Sequence, residues 1–227
     1  MAPWHKRLWF AAATTGVVSV RGVTGLAALL AAMHVTLPAG AAPSLEGIWS
    51  ADRERSDIWP ADPGFTPRGR EALDNHDPNT DDPALYCAVY MPRVMVAWGR
   101  KPIEIFQADD RLWMLHERMH QVRRIYLDGR APPEDEGPTW MGHSTGVWEG
   151  DTLVVDTVNL RASIYNWSGL PLSGEHRIVE HITRLDDETL EVLVTVIDPV
   201  NYEEPWTTRN IWRLTPDIHF YEYECQE

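Results

Sequence analysis

The chain has 227 residues, 44% of them hydrophobic and 24% charged, a balance that lets one domain bury a full core and excludes wholesale disorder. Its formal charge is −14, and all 34 acidic residues lie beyond position 41. Such a surface repels phosphate backbones and anionic headgroups, which argues against nucleic-acid binding and peripheral membrane docking.

Residues 1–41 read as an export signal. Basic Lys6 and Arg7 precede an apolar run from Leu8 to Val20. Arg21 interrupts, a second run spans Val23 to Val35, and Ala39-Gly40-Ala41 supplies small residues for cleavage after Ala41. Neither run reaches the roughly 20 residues that cross a bilayer, so no stable membrane insertion is expected after processing. Because the doubled pattern is long, Arg21 reads as the basic end of a conventional signal with a downstream start. A periplasmic or secreted location follows.

Residues 42–102 read as an extended, Pro-rich arm. Leu45 to Trp49 is a first strand, and a short helix is predicted after Thr66, with Pro67 in its first turn and Arg68 to Leu73 following.

Residues 103–227 change to short β-prone runs with turn residues between them, the rhythm of an antiparallel meander. Predicted strands are Ile103–Gln107, Leu112–Glu117, Val122–Leu127, Ser144–Trp148, Thr152–Val158, Arg177–Arg184, Leu190–Ile197, Trp206–Leu214 and Phe220–Cys225. Leu190, Val192, Val194 and Val196 share one face, and Trp206, Thr208, Asn210, Trp212 and Leu214 share another. Strands with one apolar face each predict an all-β, up-and-down barrel carrying the arm, one structural domain over 42–227, with an open sandwich as the alternative. The two cysteines, Cys87 and Cys225, pair as a disulfide in an oxidising compartment.

Three long segments carry a resemblance: Arg123 to Arg130, Pro138 to Ser144 and Gly146 to Thr157. With Val179 to Arg184, Asp198-Pro199, Tyr202, Pro205-Trp206 and Tyr223 to Cys225, they make the chain resemble a widespread family of exported bacterial proteins without an assigned activity. The resemblance implies a lipocalin-like barrel and no particular reaction. Val147 and the stretch Ser163 to Leu172 depart from the family's pattern.

Candidate chemistry falls in three places. His116-Glu117-Arg118-Met119-His120 fits the H-E-x-x-H zinc-hydrolase form, which requires a helix that sets both imidazoles on one face; its position between turn signals at hairpin spacing argues for strands, and no metal is expected. The loop and strand from Trp140 to Trp148 hold His143 beside two indoles. Arg124 and Glu180 would have to pair if both faced inward. The leading expectation is a binder of a small, largely apolar molecule, with Tyr126, Trp140, His143, Trp148 and Trp167 as ligand contacts and no cofactor. The alternative is a barrel enzyme, an isomerase, cyclase or hydratase, that moves protons through His143, Glu180 or Arg124; a second alternative is a zinc hydrolase through His116, Glu117 and His120. No nucleotide loop, nucleophile elbow or Cys-x-x-Cys occurs in the sequence.

Overall fold

Alternation of apolar and polar side chains decides which face of each strand turns inward, and the strands after Pro102 obey it with few exceptions. The computed structural model describes residues 42–58, 60, 63–96, 101–135, 137–223 and 225; the predicted export signal at 1–41 lies outside them. The strands are β1 (Gly47–Ala51), β2 (Ile103–Gln107), β3 (Arg111–His116), β4 (Gln121–Tyr126), β5 (His143–Glu149), β6 (Thr152–Val158), β7 (Ser163–Ile164), β8 (Pro171–Leu172), β9 (Arg177–Asp186), β10 (Thr189–Ile197) and β11 (Trp206–Leu214). Nine of them close a barrel in the order β1, β11, β10, β9, β6, β5, β4, β3, β2, while β7 and β8 form a separate small hairpin. The closed all-β barrel is therefore present, and the open sandwich is not.

Three departures from the expected meander have physical causes. First, β4 and β5 are parallel, joined only at Ile125 to Ser144 and Tyr126 to Thr145. The long connection through residues 127–142 returns the chain to the end where β4 began, so the next strand must run the same way. Second, Phe220–Cys225 adds no strand. The pairing of β1 with both β11 and β2 already consumes the free edges, and the tail is held instead by the Tyr221 N–H on Glu117 and by the Cys225 bond to Cys87. Third, the arm supplies β1 and so is part of the barrel wall.

The helix forms where the sequence places it, as α1 (Pro67–Asp74). Thr66 accepts the Gly69 N–H at its N-terminus and Pro67 takes the first turn, where a missing N–H costs nothing. The Cys87–Cys225 disulfide is also formed, bridging a sequence separation of 138.

The barrel interior is filled by side chains. Trp49, Leu112, Met114, Ile125, Leu153, Val155, Ile178, Ile182, Val194 and Val196 are fully buried there. Gly146 faces the same interior, and a Cβ at that position would crowd Leu153, Ile125 and Leu127 at 3.0–3.1 Å. Its missing side chain is what lets three apolar neighbours meet.

Register places His116, Gln121, His143, Val158, Arg177, Ile197 and Trp206 at one end of the barrel. Residues 83–96 cover part of this end. Asp82 caps a 3-10 turn over Pro83–Tyr86 by accepting the Ala84 N–H at 2.8 Å, Met91 and Met95 are buried, and the Met91 N–H donates to the Trp140 carbonyl at 3.0 Å.

Candidate functional site

Of the polar residues inside the barrel or at its end, two groups differ in what they leave unsatisfied. The deeper group centres on Arg123 of β4. Its side chain is 1% exposed and that of its partner Glu180, on β9, is 0% exposed. Arg123 Nη1 donates to Glu180 Oε1 at 3.0 Å and Nη2 donates to Oε2, a bidentate pair. Nη2 also donates to Thr157 Oγ1 at 3.0 Å and Ser144 Oγ at 3.2 Å, while the Ser144 and Thr157 hydroxyls bond each other at 2.9 Å. Every arm of this network is occupied. It has the form of a structural clamp across β4, β5, β6 and β9, since a desolvated ion pair persists only when its remaining lone pairs and protons are also satisfied.

The expected partner of Glu180 was Arg124, and the structure corrects this: Arg124 is exposed on the outer face. Neighbouring residues on a strand point to opposite sides, and Arg123 shares its side with buried Ile125. Reading Ile125 and Leu127 as the inner face would have selected Arg123.

The second group surrounds a cavity of about 40 Å³ at the covered end. Among the described residues its lining is Arg93, Val94, Val96, Lys101, Pro102, Ile103, His116, Arg118 and Trp212. Strand alternation delivers His116 and Trp212 inward from β3 and β11, and the arm delivers Arg93, Val94 and Val96. His116 is 3% exposed and Trp212 2%. Three buried side-chain atoms on this one lining have no hydrogen-bond partner among the described residues: Arg93 Nε, His116 Nε2 and Trp212 Nε1. Buried polar atoms are normally satisfied, so three orphans around one cavity mark a place where a polar group belongs.

The electrostatics of this end are cationic but partly balanced. Arg93 Nη1 donates to Asp82 Oδ2 at 2.7 Å and to the Tyr90 hydroxyl at 2.8 Å. Burial alone would raise the Asp82 carboxyl; bonds from Arg93, the Ala84 N–H and the Tyr90 hydroxyl overcome it and hold the group below the usual carboxylate value. The Tyr90 hydroxyl, buried beside them, is pushed up to about 12. Lys101 Nζ sits 2.9 Å from Glu117 Oε1. Arg118 is half-buried, with no ion-pair partner among the described residues. Burial, and after it the Arg123 cation, drive His116 down to about 3, so its imidazole is neutral at ordinary pH.

His116-Glu117-Arg118-Met119-His120 does not form a metalloprotease helix. His116 ends β3, and Met119 and His120 have φ of 54° and 48°, left-handed values that break any helical continuation. His116 is buried and His120 exposed, so the two imidazoles share no face. Glu117 is a structural residue here: buried, paired with Lys101, and accepting the Tyr221 N–H at 3.1 Å. Among the described residues no group of three or more His, Cys, Asp or Glu is placed to hold a metal ion.

The expected ligand contacts are dispersed. His143 and Tyr126 both point outward, with rings stacked at 5.2 Å, Arg130 over Tyr126 at 4.4 Å, and His143 Nε2 at 2.9 Å from the Arg130 carbonyl. Trp140 packs near Tyr90 and under Arg161. Trp148 lies at the opposite end of the barrel, lining a shallow groove with Gln107, Ala108 and Leu127. Trp167 is 57% exposed, in the turn of the β7–β8 hairpin. His143 and Glu180 face opposite sides of the barrel wall and do not form one site.

Of the residues that do line the cavity, His116 and Trp212 were legible as inward-facing members of alternating strands. Arg93 had no sequence signal, because it lies in the irregular arm. Comparison of the chain with protein-family models finds no match, and comparison with curated proteins finds none.

Proposed function

We propose that this protein is an exported binder of a small, largely apolar molecule, and that the molecule enters at the arm-covered end of the barrel, not its interior. The observation that carries this reading is the cavity bounded by Val94, Val96, Pro102 and Ile103, on whose lining Arg93, His116 and Trp212 carry buried polar atoms without a partner among the described residues. Ligand sites combine apolar walls with a few placed polar groups in this way. At about 40 Å³ the cavity takes one end of a ligand, and the half-exposed Lys101 and Arg118 give it a solvent-facing side for the rest. The packed barrel behind it acts as a rigid wall.

Two features support export. The N-terminal sequence combines basic, apolar and small residues in the order of a secretory leader, and the Cys87–Cys225 bond suits an oxidising compartment.

The test is native mass spectrometry of protein purified from its own host, beside a Val94→Phe variant that fills the cavity. Retention of a small molecule by the wild type and its loss from the folded variant is the expected result. Equal retention by both would place the ligand elsewhere and overturn the reading.

A further inference from the structure

The chemistry of the orphan atoms says which group the cavity receives, an inference that rests on the binding reading above. Trp212 Nε1 is a donor only, and so is Arg93 Nε, because an indole N–H and a guanidinium N–H have no lone pair to offer. His116, neutral through burial, carries one ring proton and presents Nε2 as a donor in one of its two tautomers. Three further facts point the same way. The lining includes the cations Lys101 and Arg118 beside Arg93, and among the described residues it contains no carboxylate. Asp82 and Glu117 stand one layer behind, each already bonded to a lining cation. The remaining walls are aliphatic.

We propose that the cavity receives the carboxylate of a monocarboxylic acid with an apolar stem, accepting hydrogen bonds from Trp212 Nε1 and Arg93 Nε. A carboxylate is acceptor-only, so it satisfies two donors without leaving a proton of its own unpaired. A hydroxyl of the same reach has one outlet for its proton among these three atoms, His116 Nε2 in the tautomer that leaves that nitrogen unprotonated, whereas a carboxylate fits the donors in either tautomer. The ligand's charge also fits the local field. The chain as a whole is acidic, but this rim sets Arg93, Lys101 and Arg118 against Asp82 and Glu117, a local excess of positive charge that favours an anion.

The experiment uses the oxidised mature chain and two probes of equal stem length, hexanoate and hexanol. Affinity is measured by calorimetry, and the Trp212 indole N–H is followed by nitrogen–proton NMR after assignment with Trp212→Phe. Hexanoate is expected to bind roughly tenfold or more tighter than hexanol, since a hydrogen bond to a charged acceptor is worth a factor of that order. It should shift the Trp212 N–H resonance, and it should lose about tenfold in Trp212→Phe, which keeps the ring bulk. Arg93→Gln is the second variant, expected to weaken hexanoate while leaving hexanol unchanged. If hexanol binds as well as hexanoate and Trp212→Phe changes neither, the carboxylate assignment falls while the binding reading stands. If neither probe binds and the Trp212 N–H resonance stays fixed, ordered water alone fills the cavity, and both fall.

Discussion

Replacing Glu180 by Leu leaves the Arg123 guanidinium in the barrel with only the Ser144 and Thr157 hydroxyls, its side chain 1% exposed and its countercharge gone. Stranding one member of a buried ion pair costs about 3–5 kcal/mol. That is a large part of the roughly 5–15 kcal/mol that stabilises a typical domain. At this size each kcal/mol moves the melting temperature by roughly 2–4 °C, so the variant should melt roughly 6–20 °C below the wild type. The double variant Arg123→Met/Glu180→Leu removes both charges, and Ser144 and Thr157 still bond each other at 2.9 Å. It should therefore recover most of the loss. Urea unfolding of the four proteins in one double-mutant cycle measures the coupling, expected at about 2 kcal/mol or more. A loss below about 1 kcal/mol for Glu180→Leu would refute the sealed-pair argument, as would a double variant no more stable than the sum of the singles.

Three further outcomes are expected. Cys87→Ser/Cys225→Ser should lower stability by up to about 5 kcal/mol, the chain-entropy value for so long a loop, measured by urea unfolding under non-reducing conditions; the Tyr221 and Tyr223 contacts to Glu117 and Lys101 should loosen with it, read by hydrogen exchange. Gly69→Ala should cost about 1–3 kcal/mol, because a Cβ there overlaps the Asn201 backbone and flexible side-chain motion cannot relieve it; thermal unfolding checks this. Stability should fall as pH drops from about 6.5 towards 3, since the unfolded chain protonates His116 at its ordinary value while the folded site resists until about 3. His116→Gln should flatten that decline between about pH 6.5 and 4.5, before carboxylates titrate; an unchanged slope would show that His116 is solvated.

Most of the barrel strands, the inner faces of β10 and β11, the capped start of α1 and the pairing of the two cysteines were legible in the sequence, because each rests on local rules. A period of two assigns Leu190 to Val196 and Trp206 to Leu214 to the inside without reference to the rest of the chain. The Thr66-Pro67 pair starts the helix whatever it packs against. Two cysteines admit a single intramolecular pairing.

Only the tertiary structure decided which polar residues meet. Arg123 and Glu180 lie 57 positions apart and come together because β6 stands between β5 and β9, an arrangement that depends on barrel closure and not on either strand's pattern. The parallel β4–β5 seam follows from the path of the connection between those strands, and the strandless tail from the closure of the barrel by β1. The cavity draws Arg93 from the arm, His116 from β3 and Trp212 from β11, three segments whose convergence no short window encodes. Alternation says that a side chain faces inward; the register and tilt of the closed sheet say what it finds there.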